Sequence, residues 1–359
     1  MSETAVLSQA GEPASDQDVI FEQRLFRWSP FGTALTTLLI FLVLAVSYAL
    51  TATAQGVRLF QFVADGISLP GDTRSALVIS LLIATALGMQ RYARVKDLLD
   101  VASNNTVMRE CMMQSYAHSY DADHQRALTR RLVFATAVGV LLGICLSIGL
   151  NRQNFLTWPP HLGLVFYWFL LADIMLCSLF TRGVELTRTG ARVMRTFIEQ
   201  FLSIDLLRID QLSIIGRSAA RTSVVWFAVS AVSCLFFASG LSASASLGFI
   251  GACAAIGIAI FVLTLTKVHH RIKSAKAAEL ERVRGQIDGV RHEAHANADA
   301  SLRLQGLIAY EKRIESAPEW PFDQTTAMRL GASTLILAVP WFGQAIAQSL
   351  IERLGQVVH

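Results

Sequence analysis

Long uncharged stretches alternate with short polar ones along this chain, and that alternation is its first structural signal. A helix that crosses a bilayer needs about 20 mostly apolar residues. Six stretches meet or approach that length: Phe31–Ala54, Ser75–Gln90, Leu132–Leu150, Leu162–Thr181, Thr222–Leu241 and Leu247–Thr266. The second is the shortest, about 24 Å at 1.5 Å per residue. Arg74 and Arg91 at its ends can snorkel to the interfaces and cover the deficit. The expected fold class is all-α: a polytopic transmembrane helix bundle with six spans and helical cytoplasmic extensions. A seventh, membrane-embedded or re-entrant C-terminal segment completes it.

That last segment has two readings. Leu330–Leu350 carries no charge and is long enough to span, but Pro340 divides it. Beyond the proline, Phe342, Ile346, Leu350 and Leu354 form one helical stripe, and Gln344, Gln348 and Glu352 form a polar one. Such two-sidedness suits an interfacial or re-entrant helix, or a span packed inside a bundle. A full span would move the C-terminus outside.

Orientation is set by basic residues in the connecting segments. Segment 91–131 carries Arg91, Arg94, Lys96, Arg109, Arg126, Arg130 and Arg131. Segment 182–221 carries Arg182, Arg188, Arg192, Arg195, Arg208, Arg217 and Arg221, and the stretch after Thr266 opens with Lys267, Arg271, Lys273 and Lys276. The intervening segments hold only Arg58 and Arg74, then Arg152, then none. The basic segments therefore lie in the cytoplasm, with the N-terminus. Trp28 and Trp158 stand where an aromatic belt belongs.

The chain divides into an acidic cytoplasmic tail (1–30), three transmembrane hairpins (31–90, 132–181 and 222–266), three cytoplasmic helical segments (91–131, 182–221 and 267–323) and a membrane-embedded or interfacial C-terminal segment (324–359). The repeat is topological, without visible identity between units. Within the third cytoplasmic segment, Leu280, Val283, Ile287 and Val290 form a short heptad seam, enough for a helical hairpin but not a long coiled coil. Pro318 and Pro321 stop that segment, and Asp323 is placed to cap the next helix.

Composition sharpens this picture. Of 359 residues, 53% are hydrophobic and only 16% charged, against about 25% charged in an average soluble domain. A mean hydropathy of +0.46 excludes a disordered chain and argues against a soluble enzyme. The net charge of +4 comes with no basic run suited to nucleic acid. Arginine far outnumbers lysine among the 31 basic residues, and Ala and Leu are abundant; by association this points to a bacterial inner membrane. The first thirty residues contain no apolar run, so the first span is its own insertion signal. Cys145, Cys177, Cys234 and Cys253 lie in apolar blocks and Cys111 in a polar one, and none pairs as C-x-x-C.

Few residues carry candidate chemistry. Asp173, inside the fourth span, is the one ionisable residue near the middle of any of the six. A carboxylate there costs about 2.5–3.5 kcal/mol on insertion scales, so it marks either an ion path or a buried polar contact. Ala135, Gly139, Gly143 and Ser147 recur every four residues and give the third span a smooth face. Gly251, Ala255 and Ala259 do the same for the sixth. Such faces let backbones approach closely, within one chain or between copies in a homo-oligomer. His118, Asp121, Asp123 and His124 are metal-ligand types in a spacing that matches no zinc class, and His292 and His295 stand three apart on a helical surface. No phosphate-binding loop, dinucleotide fingerprint, nucleophile elbow or kinase signature is present.

The sequence thus predicts no enzyme and no cofactor, with the lipid bilayer as one partner and a cytoplasmic protein as another. The leading expectation is a non-enzymatic membrane scaffold or signal-coupling protein with a cytoplasmic helical face. The alternative is an oligomeric channel or permease for a small ion or solute that uses Asp173. A third reading is a lipid-modifying or lipid-binding enzyme that uses the His118–His124 cluster at the cytoplasmic surface.

Overall fold

Five helices of the computed structural model are long and apolar enough to cross a membrane: Thr33–Ala54, Gly71–Asp100, Gln125–Leu150, Leu164–Glu199 and Gly248–Arg291. They mark the chain as a membrane protein. The structure describes residues 25–26, 28–29, 31–63, 66–103, 122–150, 163–201, 213–236, 243–291 and 298–320. Its elements in chain order are α1 (Thr33–Ala54), β1 (Gln61–Val63), β2 (Gly66–Ser68), α2 (Gly71–Ser103), α3 (Ala122–Leu150), α4 (Leu164–Thr196), α5 (Ser213–Ser233), α6 (Ala243–Arg291) and α7 (Ala298–Glu315). A π-turn, Phe197–Phe201, extends α4.

The five spans correspond to the first four and the sixth of the expected stretches. The expected fifth, Thr222–Leu241, is not among them. Its helix, α5, runs from Ser213 to Ser233, so Thr222–Ser233 of that stretch lies in the helix. The apolar residues of α5 face other helices: Ile215, Val225, Trp226, Phe227 and Val229 are all buried. Residues 237–241 of that stretch lie outside the described residues, and the span count of six or seven is not confirmed. The Leu330–Leu350 segment lies outside the described residues.

The pairs α1–α2, α3–α4, α5–α6 and α6–α7 pack as antiparallel neighbours, most extensively α3 on α4 and α5 on α6. The Thr181 hydroxyl donates to the Ala135 carbonyl at 2.7 Å across the first pair, and the Ser230 hydroxyl donates to the Ile250 carbonyl at 3.1 Å across the second. The core gathers where α1, α2, α4, α5 and α6 meet, around Tyr48, Leu82, Ile83, Trp168, Trp226 and Cys253. Within their apolar windows, 61% of α2 is buried but only 11% of α1. So α2 is interior, and α1 turns Leu38, Leu42, Val46 and Leu50 outward, a surface suited to lipid and not to water. Hydroxyls along the helices donate back to carbonyls one turn earlier, as Thr37 does to Thr33, Ser80 to Ala76 and Ser223 to Ala219. That leaves no polar group facing hydrocarbon without a partner at those positions.

The helix ends reflect local chemistry. Gly56, at φ 75°, closes α1 in the left-handed conformation that lacks a steric cost only for glycine. The amide of Val57 then reaches the Ala52 carbonyl at 2.8 Å, and that of Gly56 reaches Thr53 at 3.0 Å, satisfying the last carbonyls. After α1 the chain departs briefly from the all-α expectation: β1 and β2 form an antiparallel ribbon, with Gln61 opposite Ser68 and Phe62 opposite Ile67. Its strands are three residues each.

The α5–α6 pair is offset from its neighbours. Gln90 of α2, Gly183 of α4 and Trp226 of α5 are adjacent, next to Arg91 and Arg182 where the apolar runs of α2 and α4 end. Gly257 of α6 sits against Phe227 and the Ser223 carbonyl at nearly the same level. From there to Thr266, α6 runs on uncharged for about 14 Å. It then continues without a break to Arg291, 49 residues in all, and α7 folds back along it.

Candidate functional site

The first candidate is the α3–α4 seam around Asp173. Gly139 and Gly143 lie directly against α4: a Cβ added to Gly143 would stand 2.5 Å from Ile174 Cα and 2.7 Å from its nitrogen. The backbones touch because glycine has no side chain to hold them apart. Ala135 accepts the Thr181 hydroxyl, and Thr136 accepts Arg182 at 3.1 Å. At the far end Ser147 is fully buried close to Asp173, itself 4% exposed. Thus Ala135, Gly139, Gly143 and Ser147 all face α4, and Asp173 answers the last of them.

Among the described residues, substantial packing of α3 is with α4 alone, and its other faces expose Phe134, Leu141, Leu142 and Leu146. A carboxylate buried at a two-helix seam is placed to fix helix register. An ion path needs several helices around a hydrated lumen.

The second small face behaves oppositely. Gly251, Ala255 and Ala259 are exposed, and nothing stands within 4 Å of where a Gly251 Cβ would project. On α6 it is Cys253 and Gly257 that pack against the bundle.

A charged cluster that the sequence did not single out joins α2 to α5 at the basic end of the bundle. Arg221 pairs with Asp97 at 2.6 Å and also with Asp100. Arg217 reaches Asp100 at 3.3 Å, and the Ser218 hydroxyl donates to Asp97 at 3.1 Å. Burial opposes the charge on Arg221, but Asp100 and Asp97 outweigh it and hold the guanidinium above its usual pKa. The legible signal was spacing: Asp97 and Asp100 are three apart on one helix, Arg217 and Arg221 four apart on another, so each pair shares a face.

The third candidate is the α6–α7 hairpin. Val283 and Ile314 are buried between the two helices, with Leu280, Ile287 and Val290 half-buried beside them. Arg284 bridges Glu311 at 2.7 Å and Glu315 at 2.9 Å, and the Tyr310 hydroxyl donates to Glu279 at 3.0 Å. Near the membrane end, the Lys276 ammonium donates to the Glu315 carbonyl at 2.7 Å and the Ala317 carbonyl at 3.1 Å. It thereby satisfies carbonyls that the end of α7 leaves open. His269 Nδ1–H donates to the Glu319 carbonyl at 3.0 Å, and its ring stacks on Trp320 at 4.3 Å. Since a carbonyl only accepts, the proton sits on Nδ1.

Among the described residues no group of three or more His, Cys, Asp or Glu could hold a metal ion. Asp123 and His124 fall in the first turn of α3, but their side chains lie outside the described residues, as do His118, Asp121, His292 and His295. Gln344, Gln348 and Glu352 lie outside them too. The chain has no significant match among protein-family models, curated proteins or solved structures.

Proposed function

We propose that this chain is a bacterial inner-membrane scaffold or signal-coupling protein, without enzymatic activity, whose α6–α7 hairpin receives a soluble partner in the cytoplasm. The observation that carries this reading is the continuity of α6. One helix of 49 residues leaves the bundle and stands about 36 Å beyond Lys267, braced by α7 through Arg284, Glu311, Glu315 and Tyr310. A rigid, ion-paired arm outside the membrane is suited to holding another protein at a set distance. The basic residues at this end of the bundle support its placement in the cytoplasm.

The competing reading is an oligomeric channel or permease. It draws on Asp173, but that carboxylate is buried at a seam between two helices.

The test deletes Ala278–Arg303 and compares membrane insertion and captured soluble proteins with the full chain. Insertion should persist while specific capture is lost. An unchanged set of captured proteins would count against the arm. Ion or proton flux through the purified full chain in liposomes would replace the scaffold reading with the conducting one.

A further inference from the structure

The charges of α6 are sorted along its length. Between Ala243 and Ala278 it carries Lys267, His269, His270, Arg271, Lys273 and Lys276, and its first acid is Glu279. From Glu279 outward the charges interleave and pair: Arg282 with Glu279, and Arg284 with Glu311 and Glu315. Nearer the membrane two of the basic side chains are engaged. Lys276 holds the end of α7 and lies 3.7 Å from Glu319, and His269 holds the Glu319 carbonyl and the Trp320 ring. Lys267, His270, Arg271 and Lys273 are exposed, and among the described residues none of them has an acidic partner. Glu199, on the π-turn that packs on α6, is already held by Arg195 at 2.7 Å.

Helical spacing gathers these cations. Leu263, Lys267 and Arg271 follow one another by four positions, and His270 stands three from Lys267, so the four share one face. Val268 and Ile272, on the side turned to the protein, are fully buried. Leu263 is 63% exposed. The face thus passes within one turn from an apolar residue to a cation, as a helix does where it leaves hydrocarbon for headgroups. Trp320, stacked on His269 and 45% exposed, is the residue type of that boundary. The apolar run of α6 ends about 14 Å beyond that of α4, a mismatch of the kind a bilayer meets by tilt or local thickening.

We infer that Lys267, His270 and Arg271 bind the phosphate of an anionic phospholipid. Cβ atoms four positions apart on a helix are about 5–6 Å from each other, so one phosphate can take the Lys267 ammonium and the forked Arg271 guanidinium together. His270 adds a ring N–H on the flank. The place where the cations begin favours a lipid over a soluble anion: they directly follow Leu263, so a ligand held there has its apolar part beside hydrocarbon. The general bias of basic residues toward one side of a membrane requires neither a shared face nor an absence of acids. The inference is independent of the proposed function.

The experiment is native mass spectrometry of the purified, delipidated full chain, offered phosphatidylglycerol and phosphatidylcholine of matched chain length. Wild type should prefer phosphatidylglycerol. Lys267→Gln with Arg271→Gln should lower that preference about thirtyfold, the equivalent of about 2 kcal/mol, for two cations withdrawn from an anionic headgroup. Lys267→Arg with Arg271→Lys should retain most of it. Arg291→Gln with Arg303→Gln, which removes the same charge from exposed positions at the outer end of the arm, should leave it unchanged. Excess inorganic phosphate should not displace the lipid. On the unaltered chain, phosphatidylglycerol with a photoreactive headgroup should label residues 263–274. Wild type without preference, equal losses in the two glutamine pairs, displacement by phosphate, or labelling only elsewhere would each overturn the assignment.

Discussion

Replacing Gly143 by alanine tests the α3–α4 seam most directly. The new methyl would lie 2.5 Å from Ile174 Cα, whereas ordinary contact begins near 3.4 Å. The obstacle is backbone, so no rotamer change relieves it, and the helices must part by about 1 Å. A gap of that size forfeits a quarter to a half of the dispersion energy of each facing atom pair. It also stretches the Thr181–Ala135 bond, now 2.7 Å, worth about 0.6 kcal/mol in a membrane helix pair. Overpacking of this kind costs about 1–3 kcal/mol, so the total is about 2–4 kcal/mol. The assay is reversible unfolding in mixed micelles, with Gly251→Ala and Gly149→Ala as controls because nothing stands within 4 Å of either site. The controls should equal or exceed wild type, since alanine holds a helix better than glycine. If Gly143→Ala unfolds within about 0.5 kcal/mol of wild type, or if Gly251→Ala is the more damaging, the reasoning about the seam is wrong.

Other contacts in the structure make three further outcomes testable. Arg221→Ala leaves Asp97 and Asp100 facing each other without their shared cation, and should lower unfolding free energy by about 1–3 kcal/mol; adding Asp97→Asn and Asp100→Asn should recover part of that loss in the same unfolding assay. Asp173→Asn keeps the shape and polarity of a side chain buried at the α3–α4 seam, so its liposome ion and proton flux should match wild type at every pH, and a difference would put Asp173 on a conduction path. Lys276→Met removes both bonds to the end of α7, and hydrogen exchange across 298–320 should quicken by about tenfold, the equivalent of about 1.4 kcal/mol of local opening.

How far these features could be read in advance depends on whether the cause is local. The apolar run of α1 or α6 is itself the property that lets a helix enter lipid, so length and composition suffice. In the α5 stretch, Trp226 and Phe227 are buried against neighbours that a one-dimensional pattern does not name. The small-residue faces make the point again. Gly143 and Gly251 sit in similar four-residue spacings, yet one meets a backbone and the other meets nothing within 4 Å. Spacing sets what a face can accept, and the partner is set by tertiary placement. The pairing of Asp97 with Arg221 spans 124 residues, and no window along the chain holds both. The hairpin lies between these cases: Leu280, Val283 and Ile287 reveal a seam, but Lys276 gives no hint from its surroundings in sequence that it will close the end of another helix.

The unbroken course of α6 has a mechanical consequence. A rod clamped in the bundle and free at its far end is a lever, and its gain is the ratio of the free length to the clamped one. A tilt of about 10° within the membrane carries the outer end of α6 sideways by about 6 Å over its 36 Å reach. A single helix would lose part of that motion in bending. Two helices bonded side by side resist flexure as a beam does, so the displacement arrives at Arg291 nearly undiminished. Whatever rests on that tip is told the angle of α6 in the membrane, without any hinge between.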